Sequence, residues 1–229
     1  MSALYGELAQ YWPIISPVNA YEDEGRFIGS ILKAGKAHEI LEFGCGGGHL
    51  SYHLRDHFTM TLTDISPEMV DMSRRRNPMC DNRVADMFKA NLGRDFDAVL
   101  IHDAADYILD TDQMDAAFRT ARKHLRPSGM LLVVPDHLAD YWQPSVMTGG
   151  SGDVHYEARY CEREGGIRID FTVTVGDRVV EESHDIGLFP QYVWVDRLRA
   201  AGFAEVDELD ASETGWGERT AFVAHLGGS

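Results

Sequence analysis

The apolar positions of this chain change period at regular intervals. Phe27, Ile28, Ile31 and Leu32 recur at helical spacing and predict a helix over residues 21–33, with another over 4–12. Trp12-Pro13 and Ser16-Pro17 are expected to interrupt the two. From residue 39 short apolar runs alternate with amphipathic stretches. Strands are predicted at 39–43, 58–63, 82–85, 97–101 and 130–134, with helices at 48–57, 67–76 and about 112–125. Such alternation means a doubly wound α/β fold around a mostly parallel sheet. Beyond Pro135 the pattern changes. Residues 145–153 are rich in Gly, Ser and Thr and read as a loop. Three strand-like runs follow at 154–163, 167–175 and 178–188, parted by Gly165-Gly166 and by Gly176-Asp177, a two-residue hairpin signal. They are expected to form a small antiparallel β insertion. A helix at 191–201 and strands at 203–209 and 220–225 would complete a seven-stranded sheet. No repeats or low-complexity tails interrupt the chain, so residues 1–229 read as one domain, with an aromatic N-terminal lid (1–34) and the insertion at 150–188.

The stretch Glu42-Phe43-Gly44-Cys45-Gly46-Gly47-Gly48 joins the first strand to its helix. Glycines there let a ligand approach the backbone, and the helix beyond offers unpaired N–H groups. The second strand ends at Asp64, whose carboxylate suits a ribose diol. Asp64 and Ser66 also cap helices well; the ribose role is favoured for Asp64 and the cap for Ser66. A dinucleotide fingerprint fits poorly, because His49 stands where its third glycine belongs. Cys45 is read as part of a backbone turn rather than as a nucleophile.

The spacing Glu42, Gly44, Gly46, Gly48 resembles the first motif of class I S-adenosyl-L-methionine (AdoMet) dependent methyltransferases. The resemblance continues in order through Asp64-Ile65-Ser66, Ala85-Asp86-Met87, the run 96–101 and the turn Leu125-Arg126-Pro127-Ser128-Gly129, where Ser128 replaces a glycine. The insertion, His184-x-x-Gly187-Leu188-Phe189 and Ala201-Gly202-Phe203 resemble in layout the N,N-dimethyltransferases of macrolide amino sugars. Pro135-Asp136-His137 and the loop 102–107 depart from that branch. The resemblance implies an AdoMet site formed by Tyr21, Glu42, Gly44, Gly46, Asp64, Ile65, Asp86, Met87 and His102, with S-adenosyl-L-homocysteine as product. Carried over by layout, Tyr11 and Tyr107 would approach the acceptor, with His102 and Asp103 as further catalytic candidates after strand four.

The expected activity is methyl transfer to a small molecule, an amine first. O- or C-methylation of a phenolic or polyketide acceptor, or a non-catalytic AdoMet-binding subunit, are the alternatives. His137, His155 and His184 lack ligand spacing, so no metal is expected. Composition sharpens this in three respects. The 37 acidic against 21 basic residues give a net charge of −16, which argues against a nucleic-acid substrate. No apolar run is long enough for a membrane span. Three scattered cysteines fit a reducing cytoplasm. The alternating Phe171, Val173 and Val175 suggest an apolar row available for a homodimer.

Overall fold

A computed structural model describes residues 2–215 and 217–227. Five parallel strands form the centre: β1 (Glu39–Phe43), β2 (Thr59–Asp64), β3 (Asp81–Val84), β4 (Phe96–Ile101) and β5 (Leu125–Val133). The antiparallel pair β10 (Phe203–Asp210) and β11 (Thr220–Leu226) extends the edge, giving the order β10-β11-β5-β4-β1-β2-β3. The order reverses between β1 and β4, so the ligand crevice of an open α/β sheet lies at their carboxyl ends.

Both sheet faces are covered, which is why the central strands read as continuous apolar runs. On one face Ile40, Leu100 and Leu132 pack against Ile28 and Leu32 of α2 (Glu22–Ala34). On the other, Phe43, Val99 and Leu131 meet Met114 and Phe118 of α5 (Thr111–Lys123) and Trp194 and Leu198 of α6 (Gln191–Ala200). The helix starts follow local chemistry. The Ser66 hydroxyl caps α4 (Pro67–Arg76) by accepting the Met69 N–H, and Asp110 caps α5 by accepting the Gln113 N–H. α3 (His49–Leu54) is shorter than expected at its C-terminal end.

The N-terminal segment differs from the single early helix expected. It has 3-10 turns at Ala9–Tyr11 and Val18–Tyr21 flanking α1 (Trp12–Ile15). Pro13 sits in the first turn of α1 and starts a helix instead of ending one, because its missing N–H has no partner to lose there.

The insertion has four strands, not three: β6 (Ser145–Ser151), β7 (Val154–Arg163), β8 (Gly166–Val175) and β9 (Arg178–Gly187), all antiparallel. The sequence pattern predicts a loop at the position of β6. Its small residues have low strand preference, but the backbone of β7 supplies pairing that needs no side chain, and all seven β6 residues are exposed. Gly176-Asp177 makes the two-residue hairpin expected, with Val175 opposite Arg178. The row at Phe171 and Val173 is buried under Leu4 and Leu8 of the same chain, so it offers no free surface for a second copy.

Candidate active site

The glycine loop turns sharply after β1. Gly44 and Gly46 have φ of 71° and 51°, in the left-handed region that side chains avoid. A Cβ on Gly44 would collide with Ala104 at 2.1 Å, whereas one on Gly46 would meet nothing within 4 Å. Gly44 therefore serves packing, and Gly46 faces an open cradle. The Asp64 carboxylate fixes that cradle: one oxygen accepts the Gly46 N–H at 2.9 Å and the other the Ser66 N–H at 2.8 Å. Burial raises its pKa, against those hydrogen bonds. Ile65 beside it is 68% exposed, an apolar side chain with little to cover it. Asp86 accepts the Phe88 N–H at 2.9 Å and pairs with Lys89, while Met87 packs on the core. Glu42 is buried below the loop, takes a hydrogen bond from the Ser51 hydroxyl, and is pushed up by burial to about 7. An open glycine, two acidic strand ends and an uncovered apolar residue fit a nucleoside-bearing sulfonium such as AdoMet. These groups would hold its ribose and base, and AdoMet brings a methyl carbon already activated by the positive sulfur.

Across the carboxyl edge lies a cavity of about 170 Å³, walled by Tyr5, Trp12, Tyr21, Tyr107, Tyr160 and Phe171 and floored by Asp103, Asp106, Asp136 and His137. Its walls come from the N-terminal segment, the turn after β4 and the inner face of the inserted sheet. Tyr107 lines it. Tyr11 does not: it packs in the neighbouring aromatic cluster, and Tyr5 is the tyrosine whose hydroxyl lies 2.5 Å from that of Tyr107. Helical periodicity set Tyr11 on a continuous helix, whereas the irregular turns over residues 3–11 swing Tyr5 inward.

His102 is buried beneath this cavity between two carboxylates, with Nε2 at 2.7 Å from Glu24 and Nδ1 at 2.8 Å from Asp103. Burial works against its charge, but Asp103 and Glu24 outweigh burial and hold the pKa well above the usual histidine range. Both ring nitrogens therefore donate, and His102 has no nitrogen left to accept a proton. Its place is electrostatic support under the pocket. Arg219 completes the group. It is 3% exposed, reaches Glu24 at 2.6 Å, contacts Asp136 and lies 3.6 Å from Asp103. Asp106 pairs with His137. Tyr21 joins the two regions: its hydroxyl lies 2.7 Å from the Ser16 hydroxyl and donates to Asp103 at 3.3 Å, and its ring stacks on His49.

Two sets of side chains have metal-ligand proximity among the described residues, Glu24–His102–Asp103 and Asp106–Asp136–His137. The guanidinium of Arg219 already pairs with Glu24 and Asp136. No local pattern marks Arg219, which lies 195 residues from Glu24.

Comparison with known proteins agrees with this geometry. A family model described as a methyltransferase domain matches residues 40–129, from the first strand to the turn within β5. The chain is 27% identical over 215 residues to dTDP-3-amino-3,6-dideoxy-alpha-D-glucopyranose N,N-dimethyltransferase of Streptomyces fradiae, covering 87% of this chain and 84% of the relative. It is 28% identical over 194 residues to dTDP-3-amino-3,4,6-trideoxy-alpha-D-glucopyranose N,N-dimethyltransferase of Streptomyces venezuelae, covering 80% and 81%. The crystal structure of Streptomyces venezuelae DesVI superposes with a TM-score of 0.79 at 25% identity, covering 90% of this chain and 92% of the other. The AdoMet-bound structure of CalS10, an amino pentose methyltransferase from Micromonospora echinaspora, has the same fold at a TM-score of 0.77 and 23% identity, covering 90% and 92%. The chain thus matches a methyltransferase domain over residues 40–129 and is similar along most of its length to the N,N-dimethyltransferases of amino sugars, findings that support a class I AdoMet-dependent methyltransferase.

Proposed function

We propose that this enzyme methylates the amino group of a small amino sugar, carried on a nucleotide as in the named relatives, and adds two methyl groups in succession. The observation that carries the reading is the cavity itself. Aromatic faces and three carboxylates beside the glycine loop suit an ammonium group, through ring quadrupoles and charge pairing. A phenol would find no cationic side chain lining the cavity other than a protonated His137. Tyr5 and Tyr107 would orient the nitrogen, Asp103 and Asp136 would offset its charge on entry, and the closed N-terminal segment would exclude water.

The test is direct. Purified enzyme with methyl-labelled AdoMet is offered dTDP-linked 3-amino and 4-amino deoxysugars, simple amines and phenols, and products are resolved by mass. Sequential gains of one and two methyl groups on an amino sugar are expected. Methylation confined to phenols would refute the reading.

We infer a cytoplasmic enzyme, on the strength of three unpaired cysteines and an AdoMet-dependent chemistry. No helix among the described residues is long and apolar enough to cross a membrane. The homodimer no longer has the Phe171 row behind it, and light scattering at micromolar protein decides the oligomeric state.

A further inference from the structure

Each transfer to an amine leaves a proton to be removed, and two transfers leave two. A continuous line of hydrogen bonds runs outward from the cavity. The Tyr5 and Tyr107 hydroxyls are 2.5 Å apart, the Tyr107 hydroxyl is 2.9 Å from His184 Nδ1, and His184 Nε2 is 2.6 Å from Glu182 Oε1. Tyr5 and Tyr107 line the cavity, His184 is buried in β9, and the Glu182 side chain is 19% exposed. The direction of donation follows from its outer end. Burial pushes Glu182 up, but hydrogen bonds from Ser2, His184 and the Leu4 N–H outweigh it and hold the carboxyl below its usual range, so Glu182 is ionised. In the neutral ring, an ionised Glu182 accepts the Nε2 proton of His184, which leaves Nδ1 bare to accept from Tyr107. Tyr107, having given its one proton, accepts from Tyr5. The Tyr5 oxygen then keeps a lone pair for a donor in the cavity. All three bonds point from the cavity to the surface.

We propose that Tyr5, Tyr107, His184 and Glu182 form a proton exit for the acceptor amine, an inference that rests on the amine reading above. The ammonium gives its N–H proton to the Tyr5 oxygen. Tyr5 passes its own to Tyr107, Tyr107 passes its own to His184 Nδ1, and His184 releases the Nε2 proton to Glu182 and then to water. The freed lone pair on nitrogen forms the new N–C bond while the C–S bond of the methyl donor breaks, its electron pair leaving on sulfur. Burial raises both tyrosine pKa values, so neither serves as a lone base; each works only by passing one proton while receiving another. His184 and Glu182 are positioning residues, since neither lines the cavity. Glu182 has a second role, as its other oxygen accepts the Ala3 and Leu4 N–H groups and fastens the N-terminal segment. The titratable groups facing His184 are Tyr5 and Tyr107 from the neighbouring segments and Glu182 from its own strand; Ser2 and the Phe171 ring are its uncharged neighbours.

His184→Gln keeps a hydrogen-bonding side chain and leaves the Glu182 clamp intact, but cannot pass a proton between two nitrogens. With dTDP-3-amino-3,6-dideoxyglucose as acceptor, kcat of the variant should fall roughly tenfold to a hundredfold at pH below the pKa of the amine, up to the lower end of the range for proton-transfer catalysis. The deficit should close at alkaline pH, where the amine arrives neutral, with KM little changed. Tyr107→Phe breaks the line at another link and should show the same profile. A loss of equal factor at every pH would mean a purely structural role and overturn the relay. Independently of turnover, nitrogen-15 NMR of the histidines in AdoMet-free enzyme should show His184, assigned by its absence in His184→Gln, protonated at Nε2 alone. Protonation at Nδ1 alone overturns the direction of transfer and with it the proposal. An active wild type whose His184→Gln variant keeps its pH profile sinks the relay alone; a wild type that methylates no amine sinks the functional reading and the relay together.

Discussion

Replacing Arg219 with Met tests whether the buried charges under the aromatic cavity hold the fold. Arg219 is 3% exposed and Glu24 fully buried, and their contact of 2.6 Å is screened little by water. Removing the guanidinium leaves Glu24 with His102 alone, and Asp136 without its cationic partner at the pocket floor. The Coulomb attraction lost and the desolvation left uncompensated together cost about 3–5 kcal/mol when one partner of such a pair is deleted. At roughly 2.1 cal/mol/K per residue, a chain of 229 residues has an unfolding entropy near 0.5 kcal/mol/K, so Tm should fall by about 6–10 °C. Thermal unfolding followed by circular dichroism at fixed pH measures this. Glu24→Gln in the same background should restore part of the loss, since the stranded carboxylate is then gone. The exposed Arg26–Glu22 pair is the control, where Arg26→Met should cost under about 1 kcal/mol. A Tm shift for Arg219→Met no larger than that control would refute the reasoning.

Three further predictions concern the site. Asp64→Ala removes the acceptor that holds Gly46 and the expected ribose contact, and should weaken AdoMet binding by about 1–3 kcal/mol; calorimetry with unchanged affinity refutes the assignment. Glu42 is raised to about 7 in the folded state, so its contribution is fully present below its unfolded pKa and is lost as pH rises through 7. Between pH 5 and 9 the wild type should lose about 3 kcal/mol more stability than Glu42→Gln, read by urea unfolding at both pH values, and parallel curves would contradict this. Tyr5→Phe should lower turnover about tenfold with AdoMet binding intact, whereas Tyr11→Phe should stay near wild type; equal losses would return Tyr11 to the site.

The strand ends proposed for the cofactor are legible in the sequence because their chemistry is local. Gly44, Gly46, Asp64 and Asp86 each lie at a strand end that apolar periodicity locates, and parallel pairing brings those ends to one edge. The acceptor half depends on contacts across the chain. Tyr5 meets Tyr107 over 102 positions and Glu182 meets Ala3 over 179, and no local pattern marks such pairs. His102 was visible as a strand-end polar residue, but its charge is set by Asp103 beside it together with Glu24, which sequence spacing does not bring near. β6 was missed because a strand held by its neighbour's backbone needs no side-chain signature.

The packing of the molecule divides its labour in a way that bears on divergence. The crevice proposed for the cofactor stands on the two apolar layers that sandwich the main sheet, while the wall proposed for the acceptor belongs to a separate cluster formed by Leu4, Leu8, Phe171, Val173 and Ile186 with their aromatic neighbours. Substitutions in that cluster can reshape the acceptor space without creating voids in the layers that carry the glycine loop. A lineage of such enzymes can therefore explore new acceptors at little risk to methyl-donor binding, and a library confined to the N-terminal turns and the inner face of β7–β9 is the economical place to look for altered substrate range.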